Sequence, residues 1–430
     1  MTRSGEKDMT YRVCFWAALC VALIGGPAKA QNRETRGAVR DPVEASHLEY
    51  ALSAEQLEAL VGQTFDLLYT NGKTESNVEI KEFLLSKQSP DRFRSIEVLA
   101  ADGKKPRKLP AQQIFQLSQG ETEYVIALLP SQKYYVLIDT ARRDQAVNDR
   151  LKAADERIWE PIPPADQEKF VAEGKEFIQK VQAHFDKSPM QFTETNYYLI
   201  LSDMPSAQLA PYIRQLDQMC DTLGQAFGFP PGHNVWRGKA IFIIFMKESD
   251  FVVFESVFMQ YTVDLVSTQG LCHHTSDGNV VVSACRGNNP EHFGALLVHE
   301  TAHGYMHRYK STVFIPSWLN EGIADWIAGI AVPSCKTTVL RQKDAVAKLQ
   351  REGALGQEYY SADRIEPWQY GVASSMVHLL AQRPELFKLF FNGIKEGLTW
   401  QDSLMRSYGM TPRDLTTAYG RAIGVPNLVN

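Results

Sequence analysis

His299-Glu300-Thr301-Ala302-His303, with Pro316-Ser317-Trp318-Leu319-Asn320-Glu321-Gly322-Ile323-Ala324-Asp325 shortly after it, is the stretch on which the reading of this chain turns. On a helix, residues four apart lie one turn above each other, so His299 and His303 can turn both imidazoles toward one ion. Glu300, between them, falls beside the ion's open position, where a carboxylate can take a proton from water. The surroundings suit a helix. Pro290 stands at its start, Phe293, Leu296 and Leu297 give an apolar stripe, and no proline interrupts before Tyr309.

A third ligand is needed. The three-histidine form, H-E-x-x-H-x-x-G-x-x-H, fails because Met306 and Tyr309 occupy its glycine and last histidine positions. His307, one turn beyond His303, fits neither spacing and reads as structural. Glu321 opens the second helix eighteen residues after His303 and can complete a two-histidine, one-glutamate zinc set. Asp325, a turn further, is placed to accept a hydrogen bond from the second nitrogen of a ligand histidine. Each carboxylate alone would be an ordinary surface charge; beside the first motif they form a set.

Working outward, Leu209, Ile213, Leu216, Cys220, Leu223 and Phe227 mark a long amphipathic helix, and Phe170, Phe177, Ile178, Val181 and Phe185 another. Residues 197–201, 240–246 and 280–282 read as strands. The strand Val280–Val282, just ahead of the motif helix, is expected to border the cleft, and the chain from Pro290 onward is expected to be mostly helical. Before Glu160-Pro161-Ile162-Pro163-Pro164, a stretch that suits neither helix nor central strand, the pattern differs. Ser53 and Gln56 give a capping box. Short alternating runs at 64–69, 78–85, 93–98, 124–129 and 134–138 then follow, separated by turn formers such as Asn71-Gly72 and Asp102-Gly103. The expected fold class is α+β: a small antiparallel β domain over residues 46–160, then a domain over 165–430 with sheet first and helices later.

The 430 residues, 44% hydrophobic and 22% charged, are enough for two folded domains. A net charge of -5 argues against a nucleic-acid partner. Residues 1–30 have a basic start (Arg3, Lys7, Arg12), an apolar run from Val13 to Ile24 and Ala28-Lys29-Ala30, the layout of a secretory signal cleaved after Ala30. The run is too short to span a bilayer, which takes roughly 20 residues. The expectation is a secreted or periplasmic protein with no stable membrane span, its polar tail at 31–45. Export removes Cys14 and Cys20. Of the rest, Cys272 and Cys285 flank an expected hairpin with Gly278-Asn279 near its turn and are the favoured disulfide, with Cys220 and Cys335 as a second pair. His273 and His274, on the approach to that hairpin, read as exposed, since adjacent histidines chelate one ion poorly.

H-E-T-A-H followed by W-L-N-E-G-I-A-D resembles the gluzincin branch of zinc metallopeptidases, specifically the peptidase-MA-like families. The resemblance covers roughly Tyr197 to Leu380. It implies a thermolysin-like catalytic domain with His299, His303 and Glu321 on zinc, Glu300 as general base and Asp325 behind a ligand. It also implies an oxyanion donor beyond the glutamate ligand, for which Tyr370 in Trp368-Gln369-Tyr370-Gly371 is the first candidate, Tyr360 and His378 the others. The expected reaction is hydrolysis of a peptide or protein substrate. The G-x-M-E-N element of gluzincin aminopeptidases is missing ahead of His299, which points toward an endopeptidase. A catalytically silent binding protein of the same fold, or a zinc hydrolase of a non-peptide amide, is the alternative; retention of Glu300 speaks against the silent form.

Overall fold

The computed structural model describes residues 50–430 apart from 104, 130–132, 229–231, 263–267 and 357. The signal segment, the polar tail, Cys14 and Cys20 lie outside the described residues. The chain divides into two compact units, Met1–Arg143 and Asp144–Asn430. Glu160–Pro164 lies inside the second unit, because the chain just before it is tied down there. The Trp159 N–H donates to the Lys310 carbonyl (2.8 Å) and the Thr312 N–H to the Arg157 carbonyl (3.0 Å).

In the first unit, helix α1 (Ala54–Ala59) starts at the reciprocal Ser53–Gln56 capping box. Seven strands follow: β1 (Thr64–Tyr69), β2 (Thr74–Leu85), β3 (Phe93–Leu99), β4 (Arg107–Pro110), β5 (Ile114–Gln119), β6 (Thr122–Leu128) and β7 (Tyr135–Asp139). Their order is β2-β1-β5-β6-β7-β3-β4, and β2 also pairs with β3. The sheet therefore closes into an antiparallel ring with β4 as an appendage on β3. Closure removes free strand edges and encloses an apolar core that includes Phe65, Val78, Ile80, Phe93, Ile96 and Leu117. β4 and β5 escape the sequence pattern because Arg107, Lys108, Gln116 and Gln119 dilute their apolar residues.

Helix α2 (Thr140–Asp155) carries the chain into the second unit, where α3 (Pro164–His184) precedes a five-stranded mixed sheet. Its order is β11-β12-β10-β9-β8, from β8 (Gln191–Glu194), β9 (Tyr198–Ser202), β10 (Ala240–Phe245), β11 (Gly270–His274) and β12 (Val280–Cys285). β10 runs parallel to both β9 and β12, and its sequence Ala-Ile-Phe-Ile-Ile-Phe is buried throughout, as a strand covered on both faces must be. Side chains alternate between two cores. Tyr198, Ile200, Phe242 and Ile244 face one, while Leu199, Leu201, Ile241 and Ile243 face the other. Helix α4 (Ser206–Phe227) and the helices after β12 cover the first face; α3, α5 (Glu248–Phe254) and the π-turn Glu255–Met259 supply residues to the second.

Two expectations are corrected here. The cleft-bordering strand cannot be β12, because β12 is paired on both sides, with β10 and with β11; the edge strand is β11. Cys272 and Cys285 form no disulfide, and all four described cysteines are free. Cys272 pairs in register with Val282, so Cys285, three residues on, points to the opposite face. Cys272 packs toward the helical side and Cys285 into the core beyond the sheet. Cys220 exchanges a 2.8 Å hydrogen bond with the buried Tyr198 hydroxyl, and Cys335 bonds Thr337 at 3.3 Å.

The rest is helical: α6 (Pro290–Arg308), α7 (Ser317–Ala331), α8 (Thr337–Glu352), α9 (Gln369–Ala381), α10 (Pro384–Lys395), α11 (Trp400–Tyr408) and α12 (Pro412–Ala422). Glycines set the closest approaches. A Cβ on Gly322 would lie 2.7 Å from the Ala373 carbonyl oxygen, so α7 meets α9 backbone to side. No helix among the described residues is long and apolar enough to cross a membrane.

Candidate metal centre

Helix α6 begins where Asn289 Oδ1 accepts from the N–H groups of Glu291 and His292, with Pro290 in the first turn. It then runs unbroken through His299 and His303 to Arg308. Helix α7 begins after Pro316 and carries Glu321 and Asp325 one turn apart. The two helices bring together His299, His303 and Glu321 as a group able to hold a metal ion. The Nε2 atoms of the two histidines are 3.1 Å apart. Glu321 Oε2 lies 3.3 Å from His299 Nε2 and 3.5 Å from His303 Nε2. A tetrahedral ion with bonds of about 2.0–2.1 Å holds its donors about 3.3–3.4 Å apart. The donor set therefore fits a cation of that size.

The charges agree. Burial favours a neutral His299, yet the hydrogen bonds it donates to Asp325 and Glu321 hold its pKa well above the ordinary imidazole value. Burial likewise favours a protonated Glu321, and the hydrogen bonds from His299 and His303 override it, holding that carboxyl well below its usual range.

Asp325, 3% exposed, accepts from His299 Nδ1 at 3.0 Å, which fixes the tautomer and aims Nε2 at the other donors. Its carboxyl is held low despite burial by His299 and by Arg341. Arg341, on α8, donates from Nη1 to both Asp325 oxygens at 3.0 and 3.1 Å. Nothing in the local sequence marks Arg341; only the packing of α8 on α7 brings it in. His303 Nδ1, by contrast, is buried without a partner, so the two imidazoles are held to different standards.

Glu300 is not one of the three donors, and its stem lies beside the edge strand: a Cβ on Gly270 would sit 3.2 Å from Glu300 Cγ. Burial, and then the charge of Glu321, raise its pKa above the usual carboxylate value, against the pull of His299 and His303. Tyr370 stands in the first turn of α9 with its ring 6.5 Å from that of His299, nearly parallel to it. Burial, aided by Glu321, pushes its hydroxyl up to about 12, so at neutral pH it is a hydrogen-bond donor. Tyr360 is placed elsewhere: its hydroxyl bonds Thr416 at 2.9 Å, beside the rings of Trp318 and Trp400. His378 is exposed, more than two turns along α9 from Tyr370.

No family model matches the chain, and no curated protein matches it.

The other histidines have separate roles. His273 Nε2 donates to Glu255 at 2.8 Å, and this fully buried carboxylate also accepts from Ser283. His274 is exposed and stacks on His307, ring centres 3.8 Å apart. His307 is held edge-on by Trp159, whose Nε1 donates to the His307 carbonyl at 3.1 Å. His307 is not among the three donors.

The loop joining α6 and α7 is anchored from α10. Lys395, 1% exposed, donates its Nζ to the Val313 carbonyl at 3.1 Å, and its own carbonyl accepts from Ser311. Burial draws its amine down to about 7. Between that value and the unfolded value near 10.4, the unfolded chain holds a proton that the folded one lacks. Stability therefore rises with pH across this window and is flat below it. Replacing Lys395 by Met is expected to remove that contribution. Urea unfolding of both proteins at pH 7 and pH 9.5 should show the wild type gaining on the variant at the higher pH. Parallel pH dependence would mean that Lys395 remains charged in the fold.

Proposed function

We propose that this chain is an exported zinc peptidase of the gluzincin type, with a thermolysin-like domain in its second unit. The observation that carries the reading is the donor triangle of His299, His303 and Glu321, at tetrahedral spacing and backed by Asp325. Export rests on the layout of residues 1–30. Three protein ligands leave a position open, which suits a catalytic ion better than a structural one. A zinc ion there would supply Lewis acidity, lowering the pKa of water to about 7.

The remaining chemistry belongs to the side chains. Glu300 lies outside the donor triangle, one residue from His299, and its raised pKa brings it closer to the working range of a base at neutral pH. It takes the proton from water and returns it to the departing amine. Tyr370 keeps its proton and donates to the oxygen on which negative charge develops. Edge strand β11 has one side free of pairing among the described residues and touches Glu300 at Gly270. An extended peptide can add to it through main-chain hydrogen bonds, with its backbone brought alongside the base. This favours a peptide over a non-peptide amide, and an intact Glu300 favours an enzyme over a silent binding protein.

The test combines metal analysis with a peptide library. The purified chain is expected to bind one zinc ion, to cleave library peptides, to lose cleavage on chelation and to regain it with zinc. A chain that binds no divalent metal, or that cleaves equally after chelation, would end this reading.

A further inference from the structure

Outside the donor triangle, one acid is buried completely. Glu255, the first residue of the π-turn that follows α5, is 0% exposed. Its two carboxylate oxygens reach two neighbouring strands. Oε1 accepts from the Ser283 hydroxyl on β12, and Oε2 from His273 Nε2 on β11 at 2.8 Å. Its main-chain carbonyl accepts from the Tyr261 N–H at 2.9 Å, and the Tyr261 ring stands edge-on to that of His273, centres 6.0 Å apart. One residue thus ties the π-turn to both β11 and β12.

Burying a carboxylate is costly even when it is hydrogen-bonded, and an apolar residue of the same size would fill the space at least as well. What Glu255 adds is a directed hold on β11. Among the described residues that strand is paired on one side only, with β12, so its ladder fixes it less firmly than an inner strand. Its side chains alternate between two faces. Gly270 lies beside Glu300, Cys272 packs toward the helices and His274 stacks on His307. Leu271 joins the core beyond the sheet, and His273 reaches Glu255 from that same face. The bond to His273 therefore holds the edge strand from behind, about 10 Å along it from the point where it passes Glu300.

We propose that Glu255, acting through His273, is a positioning residue for peptide hydrolysis: it fixes β11 as the template along which an extended substrate pairs. Glu255 is not one of the three donors and, being buried, does not meet the substrate. The substrates it serves are chains long enough to pair with β11, and short blocked amides gain nothing from it. This deepens the peptidase reading and rests on it.

The test compares the zinc-loaded full chain with Glu255→Gln, which keeps the side-chain volume, and with His273→Gln, at a partly exposed position. The substrates are a cleaved heptapeptide and a blocked dipeptide containing the same scissile bond. For the heptapeptide each variant is expected to raise KM about tenfold with kcat within about twofold, the pattern of lost binding rather than lost chemistry. The dipeptide should change by no more than about twofold in either parameter. The double variant should be no worse than either single one, because both break the same contact. Hydrogen exchange needs no turnover: the β11 amides bonded to β12 should exchange at least about tenfold faster in Glu255→Gln, with α6 and α7 unchanged. Equal losses on both substrates, additive losses in the double variant, or unchanged exchange in β11 overturn the proposal. Faster exchange in β11, with no peptide cleaved by the wild type, leaves the hold on the strand standing and ends the peptidase reading.

Discussion

Exchanging Glu300 for Gln is expected to leave the metal and the fold in place while hydrolysis falls by about 10²–10⁴-fold. The two side chains are nearly isosteric, so the fit of residue 300 beside Gly270 survives. Glu300 is not among the three donors that face one another, so metal affinity has no reason to change. What is lost is the capacity to accept a proton, since an amide is no base at any working pH. Elemental analysis and single-turnover cleavage of a library-derived peptide, run side by side, separate the two effects. A variant that keeps its zinc and cleaves at the wild-type rate would remove Glu300 from the base's role. A variant that loses zinc would place Glu300 among the ligands instead.

The parts of this site that the sequence discloses are those set by local geometry. Histidines four apart on one helix face one way whatever surrounds them, and the Glu321–Asp325 spacing on the next helix obeys the same rule. The Ser53–Gln56 box and the Asn289–Pro290 helix start are equally local, and both stand in the structure. What escapes the sequence depends on how distant segments pair. Cys272 and Cys285 flank a hairpin as expected, yet the register that sets Cys272 against Val282 puts them on opposite faces. The edge of the sheet is likewise a property of strand order: β12 would border the cleft only if β11 did not pair with it. Arg341 carries no motif, and it matters only because α8 packs on the helix that carries Glu321 and Asp325. Glu255 reads as one acid among many, although it is wholly buried beneath His273 and Ser283. The three candidate donors are therefore legible early, while their supporting contacts need the fold.

That dependence predicts opposite outcomes for one chemical change at two helical glycines. Adding a methyl group to a helix-interior glycine is worth up to about 1 kcal/mol from propensity alone. At Gly329, on α7, the new Cβ would meet only Thr338 side-chain atoms at 3.5 Å and beyond, an ordinary contact. Gly329→Ala is expected to stabilise by roughly 0.5–1 kcal/mol. At Gly371 the Cβ would fall 2.1 Å from the Arg341 carbonyl oxygen, 2.5 Å from its carbon and 2.9 Å from Ala345 Cβ. Main-chain atoms cannot rotate aside, so α8 and α9 must separate. Overpacking of this kind costs about 1–3 kcal/mol or more and outweighs the propensity gain. The site feels the same movement, because Gly371 follows Tyr370 and presses on the residue that grips Asp325. Gly371→Ala should therefore lower the urea midpoint and weaken zinc binding about 10-fold or more, the range for disturbing a ligand's supporting contacts. Gly329→Ala should raise the midpoint and leave zinc binding alone. Equal midpoints for the two variants would show that α8 and α9 have room to spare at Gly371. A Gly371→Ala protein that was destabilised yet bound zinc normally would free His299 from any dependence on Arg341.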